Sequence, residues 1–288
     1  MFVPGHKPKM IEKALGLAQL DAVMLDLEDG VAPSEKQAAR EQIAGTLGSV
    51  VLSGQRTPAL YVRINAVGGA RMIDDLAAVV RPGLEGLVLP KVNTPEEIET
   101  VEELLDRMEP EKGMERNSTR LLVAIESPRG LLRALELASA SPRVAGLALG
   151  AEDFAREMGL PLQREGEARD LLYARSAIAC AAAAANVQAI DAVWTDLNDL
   201  AGCATFAQQG RRLGFSGMSL IHPSQVDAVN AAFTPTAAEV DYCRKVIQAF
   251  EEGQAGGDGA VALGGQMLDL PVVDRARRTL ALADSLHK

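Results

Sequence analysis

Aromatic side chains are scarce in this chain: Phe, Trp and Tyr make up 3% of its 288 residues, and Trp194 is the only tryptophan. Platforms for stacking single-stranded nucleic acid are thereby excluded, and any core must be built from Leu, Val, Ile, Ala and Met. Positive charge is also short. Lys and Arg number 29 against 39 Asp and Glu, a formal charge of -10, so the field needed to hold nucleic acid or an anionic membrane is missing. An anionic substrate would need a local cluster of cations. Cysteine is limited to Cys180, Cys203 and Cys243, odd in number and without a CxxC pair, which excludes a disulfide framework and a zinc knuckle. They read as small buried hydrophobes in a reducing compartment. No apolar run approaches the roughly 20 residues of a membrane span, and MFVPGHKPKM lacks the apolar centre of a signal peptide. The expectation is a cytoplasmic protein with neither a nucleic-acid nor a membrane partner.

What is present is alternation. Short β-branched or apolar runs near Phe2-Val3, Ala22-Leu27, Leu60-Ile64, Gly86-Leu89, Leu121-Ile125, Val144-Leu149, Val187-Asp191 and Gly217-Ile221 are separated by segments of helical period. That is the pattern of parallel βα units. Eight of them predict a TIM (β/α)8 barrel over residues 1–230. An open doubly wound sheet is the competing fold, but no strand is followed by a G-x-G-x-x-G turn. Beyond the eighth strand lie helical stretches near Pro223-Ala232 and Thr236-Glu252, then the run GQAGGDGAVALGG, expected to be a mobile connector, and a further helical segment, MLDLPVVDRARRTLALAD; residues 231–288 are expected to form a C-terminal helical extension.

Barrel enzymes carry their chemistry at the carboxyl ends of the strands. Here the second strand ends in DLEDG, the third in VRIN, the fourth in LPK, the fifth in IESP, the sixth in GAEDF and the eighth in IHPSQ. Glu126 and Asp153 follow adjacent strands, and two carboxylates so placed could share a hard divalent cation such as magnesium, which leaves positions for water and substrate oxygens; otherwise they cap the helices that follow. Arg63 offers a planar donor for a substrate carboxylate or enolate, or a structural ion pair with Asp26, Glu28 or Asp29. DLEDG could supply acceptors for metal-bound water or simply close a strand in a polar turn. His222, followed by proline, reads as a backbone-bonded structural residue more than as a base.

In sequence order, FVPGHKPKMIEKA, DAVMLDLEDGVAPSEKQAAR, YVRIN, GLVLPKV, IESPRG, GAEDF, GFSGMSLIHPSQV and MLDLP resemble the citrate lyase β-subunit-like enzymes, which include malyl-CoA and citramalyl-CoA lyases, within the HpcH/HpaI aldolase and citrate lyase superfamily. The resemblance implies a TIM barrel with a C-terminal helical extension and lid, assembled as a homotrimer or a dimer of trimers. It implies Mg2+ held by Glu126 and Asp153, and Arg63 binding the oxo-acid and steadying negative charge. It also implies Asp269 transferring a proton from a lid that closes over the neighbouring subunit's site. Glu28 and Asp29 would orient metal waters and Arg63, while Lys7, with Lys9, Lys91 and Arg129, would meet the phosphates of a CoA thioester. The implied reaction is Mg-dependent cleavage or formation of a 3-hydroxyacyl-CoA such as citramalyl-CoA or malyl-CoA, with pyruvate or glyoxylate as the oxo-acid partner of acetyl-CoA. Beside it stand the β-subunit of citrate lyase acting on a carrier-bound citryl thioester, a metal-dependent hydroxy-oxo-acid aldolase, and a non-catalytic barrel subunit. His6 departs from the family pattern, where asparagine or another polar residue often follows the Pro-Gly turn.

Overall fold

A computed structural model describes residues 1–54, 57–161, 168–255 and 261–286. Strands and helices alternate through the first 230 residues: β1 (Phe2–Pro4), α1 (Pro8–Leu15), β2 (Ala22–Asp26), α2 (Lys36–Ser53), β3 (Ala59–Arg63), α3 (Met72–Val79), β4 (Gly86–Leu89), α4 (Pro95–Glu111), β5 (Arg120–Ile125), α5 (Pro128–Leu132), α6 (Ala134–Ala138), β6 (Val144–Leu149), α7 (Ala151–Met158), α8 (Leu172–Ala185), β7 (Gln188–Asp191), α9 (Leu200–Leu213) and β8 (Gly217–Met218), followed by α10 (Val226–Phe233). All eight strands are parallel and pair in sequence order, β1 to β8, in one curled sheet. The N–H of Phe2 donates to the carbonyl of Leu220 at 2.8 Å, joining the segment just past β8 to β1.

Each strand is apolar on both faces, as a parallel sheet covered by its own crossover helices requires. Val23, Leu25, Val62, Leu87, Leu89, Val123 and Leu147 are fully buried on one face. On the other, Met24, Val88, Leu122, Ala124 and Ala148 form a cluster against which Phe2, Tyr61 and Ile190 pack, so strands from β1 to β7 meet in one inner core. The period of two carries this inner face onward to the polar strand ends. Met24 leads to Asp26 and Glu28, Tyr61 to Arg63, Leu122 and Ala124 to Glu126, and Ala148 to Gly150. That parity positions the site.

The chain divides into two compact units, residues 1–230 and 231–288. The second holds α11 (Ala237–Ala255), a hairpin of β9 (Val261–Leu263) and β10 (Gln266–Leu268), and α12 (Leu270–Leu286). Val246, Phe250, Leu268, Val273 and Ala276 make its core. The hairpin corrects part of the expected mobile connector: Val261, Ala262 and Leu263 pair with Leu268, Met267 and Gln266 across Gly264 and Gly265. Both glycines have positive φ, 58° and 83°, as a two-residue primed turn demands. Residues 256–260 of that run lie outside the described residues. No helix among the described residues is long and apolar enough to cross a membrane.

At the amino-terminal edge of the sheet a buried ion pair holds the scaffold. Arg143, just before β6, donates from Nη1 and Nη2 to the two oxygens of Glu109 at 2.7 and 2.8 Å, and both side chains are 0% exposed. The N–H groups of Asn117 and Thr119 also donate to Glu109, each at 2.8 Å. Burial alone would raise the Glu109 pKa, but Arg143 and Thr119 outweigh it and hold it at about 2. The stabilisation is therefore present above pH 4.5, the carboxyl's ordinary value, and is lost as pH falls through about 2. Glu109→Ala removes the fully buried partner and leaves Arg143 only Asp106 at 2.6 Å and the Thr119 carbonyl at 3.2 Å, and should lower unfolding free energy at neutral pH by about 3 kcal/mol, the low end of the range for breaking a buried pair. Urea titrations at pH 7 and pH 3 should show the gap between variant and parent narrowing in acid.

Candidate functional site

The DLEDG turn is built around Asp26. Its Oδ1 accepts from the N–H of Glu28 at 2.8 Å and its Oδ2 from that of Gly30 at 2.9 Å. The buried ammonium of Lys36 donates to the carbonyls of Leu27 and Glu28 at 2.6 and 2.7 Å, which fixes the turn from below. Asp26 also stands opposite Arg63 in the β2–β3 register. Arg63 donates from Nε and Nη2 to Asp26, both at 2.7 Å, and its Nη1 lies 3.3 Å from Glu28 Oε2. Its guanidinium carbon sits 5.0 Å from the centre of the Phe2 ring, a cation–π distance. Burial works against the charge on Arg63, yet the bonds to Asp26 and the nearby carboxylates of Glu28 and Glu126 outweigh it and keep the pKa above its ordinary value. One donor edge of the guanidinium is thus fixed by Asp26, and Nη1 remains on the other.

Glu126 follows β5 and is 4% exposed. Its Oε2 accepts from the backbone N–H of Lys91 at 3.0 Å, and its Oε1 takes no hydrogen bond from the described residues. Helix α5 is capped instead by Ser127, whose Oγ accepts from Gly130 N–H at 2.9 Å, so the capping role considered for Glu126 is taken by its neighbour. A Cβ on Gly150 would overlap the Glu126 side chain; the small residue at the end of β6 makes room for it. Burial first, then the charges of Glu28 and Asp153, push the Glu126 pKa up to about 7 against the pull of Arg63 and Lys91. Asp153, in the first turn of α7, accepts from Arg156 Nη2 at 2.6 Å and keeps Oδ2 4.0 Å from Lys91 Nζ.

Lys91 joins the two halves. Its ammonium lies 2.5 Å from Glu28 Oε1 and 2.8 Å from Asp29 Oδ2. The hydrogen bond from Lys91 is the main cause that lowers the Asp29 pKa. Burial lowers the Lys91 pKa, but the bonds to Asp29 and Glu28 prevail and raise it. Expected among the entrance cations for thioester phosphates, Lys91 is instead engaged by this acid pair. Its backbone is left-handed, with φ of 55°, a conformation that costs a residue bearing a Cβ about 1–2 kcal/mol. Nothing in LPK signals this, although the Thr94-Pro95-Glu96-Glu97 capping box just beyond it could be read from the chain. Lys7, at the N-terminus of α1, is exposed and forms no ion pair among the described residues. His222 is structural: its Nδ1 accepts from Ser224 N–H at 3.2 Å and caps a short 3-10 turn. Asp269 lies in the second unit, where its Oδ1 accepts from Val272 N–H at 3.3 Å at the start of α12.

The donor set is all oxygen. Among the described residues no three His, Cys, Asp or Glu side chains are grouped to hold a metal by themselves. Glu126 and Asp153 would contribute two carboxylates and leave other positions to water and substrate, which suits magnesium and not zinc. Beside Glu28 and Asp29 a cleft of about 630 Å³ opens, lined also by Lys36, Asn65 and Arg71.

A parallel α/β sheet that places an anchored arginine beside oxygen ligands at its carboxyl edge has the plan of an enzyme acting on small carboxylated substrates. The HpcH/HpaI aldolase/citrate lyase family model matches residues 1–223, and the chain belongs to that family. It is a carbon–carbon lyase. Citrate lyase subunit beta of Escherichia coli K12 is 42% identical over 99% of this chain and 92% of its own length. Human mitochondrial citramalyl-CoA lyase is 33% identical over 100% of this chain and 86% of that protein. The crystal structure of CitE from Mycobacterium tuberculosis in complex with magnesium, acetoacetate and coenzyme A superposes with a TM-score of 0.79 at 32% identity, covering 98% of this chain and 96% of that one.

The raised carboxyl of Glu126 gives the metal-free protein a defined pH signature. Its folded pKa of about 7 exceeds the ordinary 4.5, so its contribution to stability is fully present below about pH 4.5 and is lost as pH rises through about 7. In EDTA, the stability of the parent minus that of Glu126→Gln should fall across this window, measured by urea unfolding at half-unit pH steps. A difference independent of pH would contradict the raised carboxyl.

Proposed function

We propose that this protein is a magnesium-dependent lyase that cleaves, or in reverse forms, a 3-hydroxyacyl thioester, yielding acetyl thioester and a 2-oxo acid. The observation that carries the reading is Glu126: a buried carboxylate with one oxygen fixed by the Lys91 amide and the other without a donor among the described residues, beside Asp153 and facing Arg63. Glu126 and Asp153 would hold the ion. Magnesium, when bound, supplies Lewis-acid polarisation of the oxygen on the carbon that is cleaved. Arg63, already immobilised by Asp26, presents its remaining N–H groups to the carboxylate of the oxo-acid half, and little rotamer freedom is left to lose on binding. Glu28 and Asp29 hold Arg63 and Lys91 in place and accept from ordered water.

In cleavage the hydroxyl oxygen gives up its proton to water as it becomes the carbonyl of the oxo-acid, one proton released for the one the α-carbon takes up. The bond to the thioester α-carbon breaks toward that carbon, which then takes a proton, and we assign its delivery to Asp269. We read the curled sheet as a closed (β/α)8 barrel, a reading supported by the Phe2–Leu220 bond and the shared inner core. Residues 231–288 act as a lid that brings Asp269 to the site of a neighbouring subunit in a homotrimer or dimer of trimers. Lys7 belongs to the approach of the anionic thioester arm. We place the enzyme in the cytoplasm, in keeping with its three free cysteines.

CoA is the first choice of thioester carrier, with citramalyl-CoA or malyl-CoA as substrate; the coenzyme A in the related CitE crystal structure supports it. A citryl thioester on a carrier protein is the second, favoured by the higher identity to citrate lyase subunit beta, 42% against 33% for citramalyl-CoA lyase. Purified protein should convert one of these thioesters, lose activity in EDTA and regain it with Mg2+, as read by mass spectrometry of the products. Cleavage of free hydroxy-oxo acids alone would replace the thioester reading with an aldolase. Glu126→Ala should weaken Mg2+ binding without unfolding the chain. Asp269→Asn should keep fold and metal binding yet lose turnover about 100-fold or more, the scale of a general acid–base contribution; turnover at the parent rate would remove Asp269 from the mechanism.

A further inference from the structure

The reaction as proposed leaves one residue of the mouth without a part in it. Lys91 touches both halves of the acidic cluster: its amide N–H donates to Glu126 Oε2 at 3.0 Å, while its ammonium lies 2.5 Å from Glu28 and 2.8 Å from Asp29. From the end of β4 these two reaches run in opposite senses, toward β5 and toward β2. The left-handed φ of 55° is the backbone arrangement in which both are made. The turn is held there by Asn93, whose Nδ2 donates to the Lys91 carbonyl at 2.9 Å and whose Oδ1 accepts from Ser127. A strained backbone fixed by its neighbours at a site marks a constraint worth assigning.

We propose that Lys91 is a positioning residue that keeps Glu28 and Asp29 off the metal and so confines a divalent ion to Glu126 and Asp153. The inference rests on the magnesium reading above. Magnesium needs near-octahedral coordination and must keep positions open for substrate oxygens. As the site stands no three carboxylates among the described residues are grouped to hold an ion, but Glu28 and Asp29, once released from Lys91, could turn toward Glu126 and Asp153 and fill those positions, holding an ion tightly but uselessly. The tethered ammonium occupies these two carboxylates permanently, with the same sign of charge as the ion it excludes, and its side chain is 30% exposed, within reach of the space an ion would enter.

The sign of the expected effect separates this role from simple structural support. Loss of a prop would loosen the site and weaken metal binding, whereas loss of an excluding charge makes the mouth more negative and strengthens it. Mn2+ titration of the full chain, followed by the electron paramagnetic resonance of free ion, should show Lys91→Met binding about tenfold tighter than the parent, with turnover reduced. Lys91→Arg, which retains the charge, should return affinity toward the parent value. Adding Glu28→Gln to Lys91→Met should cancel most of the gain, as a double-mutant cycle requires if the freed carboxylate is its source. Lys91→Gln provides the same test should Lys91→Met lose its helical circular dichroism. Unchanged or weaker Mn2+ binding in a folded neutral variant overturns the proposal while leaving the magnesium reading intact. A parent protein that takes up no ion overturns the magnesium reading and this inference together, before any substitution is made.

Discussion

Asp26, Glu28, Asp29, Glu126 and Asp153 are gathered at one edge of one sheet, and each would repel the others if left alone. Two like charges 4 Å apart near a protein surface cost about 4 kcal/mol at an effective dielectric of 20. Two fixed cations offset this: Arg63, held in a two-pronged bond by Asp26, and Lys91, between Glu28 and Asp29. The compensation is uneven. Asp29 is drawn below its ordinary pKa while Glu126, buried and facing Glu28 and Asp153, is pushed up to about 7. The cluster therefore concentrates its unmet demand for positive charge at Glu126, which is what a cation site needs.

The sheet makes this arrangement possible through register and parity. Asp26 meets Arg63 because their strands pair in that register, and both share an inner face with Glu126 because side chains alternate with a period of two. A slip of one residue would send Arg63 to the helix-covered face and leave Asp26 unpaired. Apolar residues of the inner core, Met24, Leu122 and Ala124, fix that parity. The hydrophobic pattern thus places the candidate site's edge, while the buried Arg143–Glu109 pair, just ahead of β5 and β6, serves the scaffold.

Much of this was legible in the chain. The eight apolar runs fall on the eight strands, and Arg63 at the end of one stands with Glu28 and Glu126, which follow two others, because strand ends in a parallel sheet share one edge. What was not legible depends on backbone conformation and on competition between neighbours. Ser127 takes the cap that Glu126 could have taken, which depends on side-chain geometry one residue apart. Lys91 turns left-handed although lysine has no preference for it, because Asn93 and Glu126 hold the turn from outside. The glycine content of GQAGGDGAVALGG predicts a connector, yet the V-A-L and Q-M-L triplets around Gly264 and Gly265 pair as strands. Composition concealed an alternation three residues long.

Under the proposed reaction, discrimination between thioester substrates would not reside in the carboxylate and arginine set, because citryl, citramalyl and malyl thioesters all present a carboxylate and a hydroxyl on the carbon that is cleaved. A hydrogen, a methyl or a carboxymethyl group on that carbon is told apart by the pocket around it, where a methyl is worth about 1–3 kcal/mol. The carboxymethyl group brings an additional charge. In a mouth already rich in carboxylates, a second substrate anion needs a cation of its own, and both Arg63 and Lys91 are engaged. Arg71, which lines the 630 Å³ cleft beside Glu28 and Asp29, is a cation open to such a group. If the proposed reaction runs on a citryl thioester, Arg71 is the cation beside the acid cluster that its extra carboxylate would draw on, a demand that citramalyl and malyl thioesters do not make.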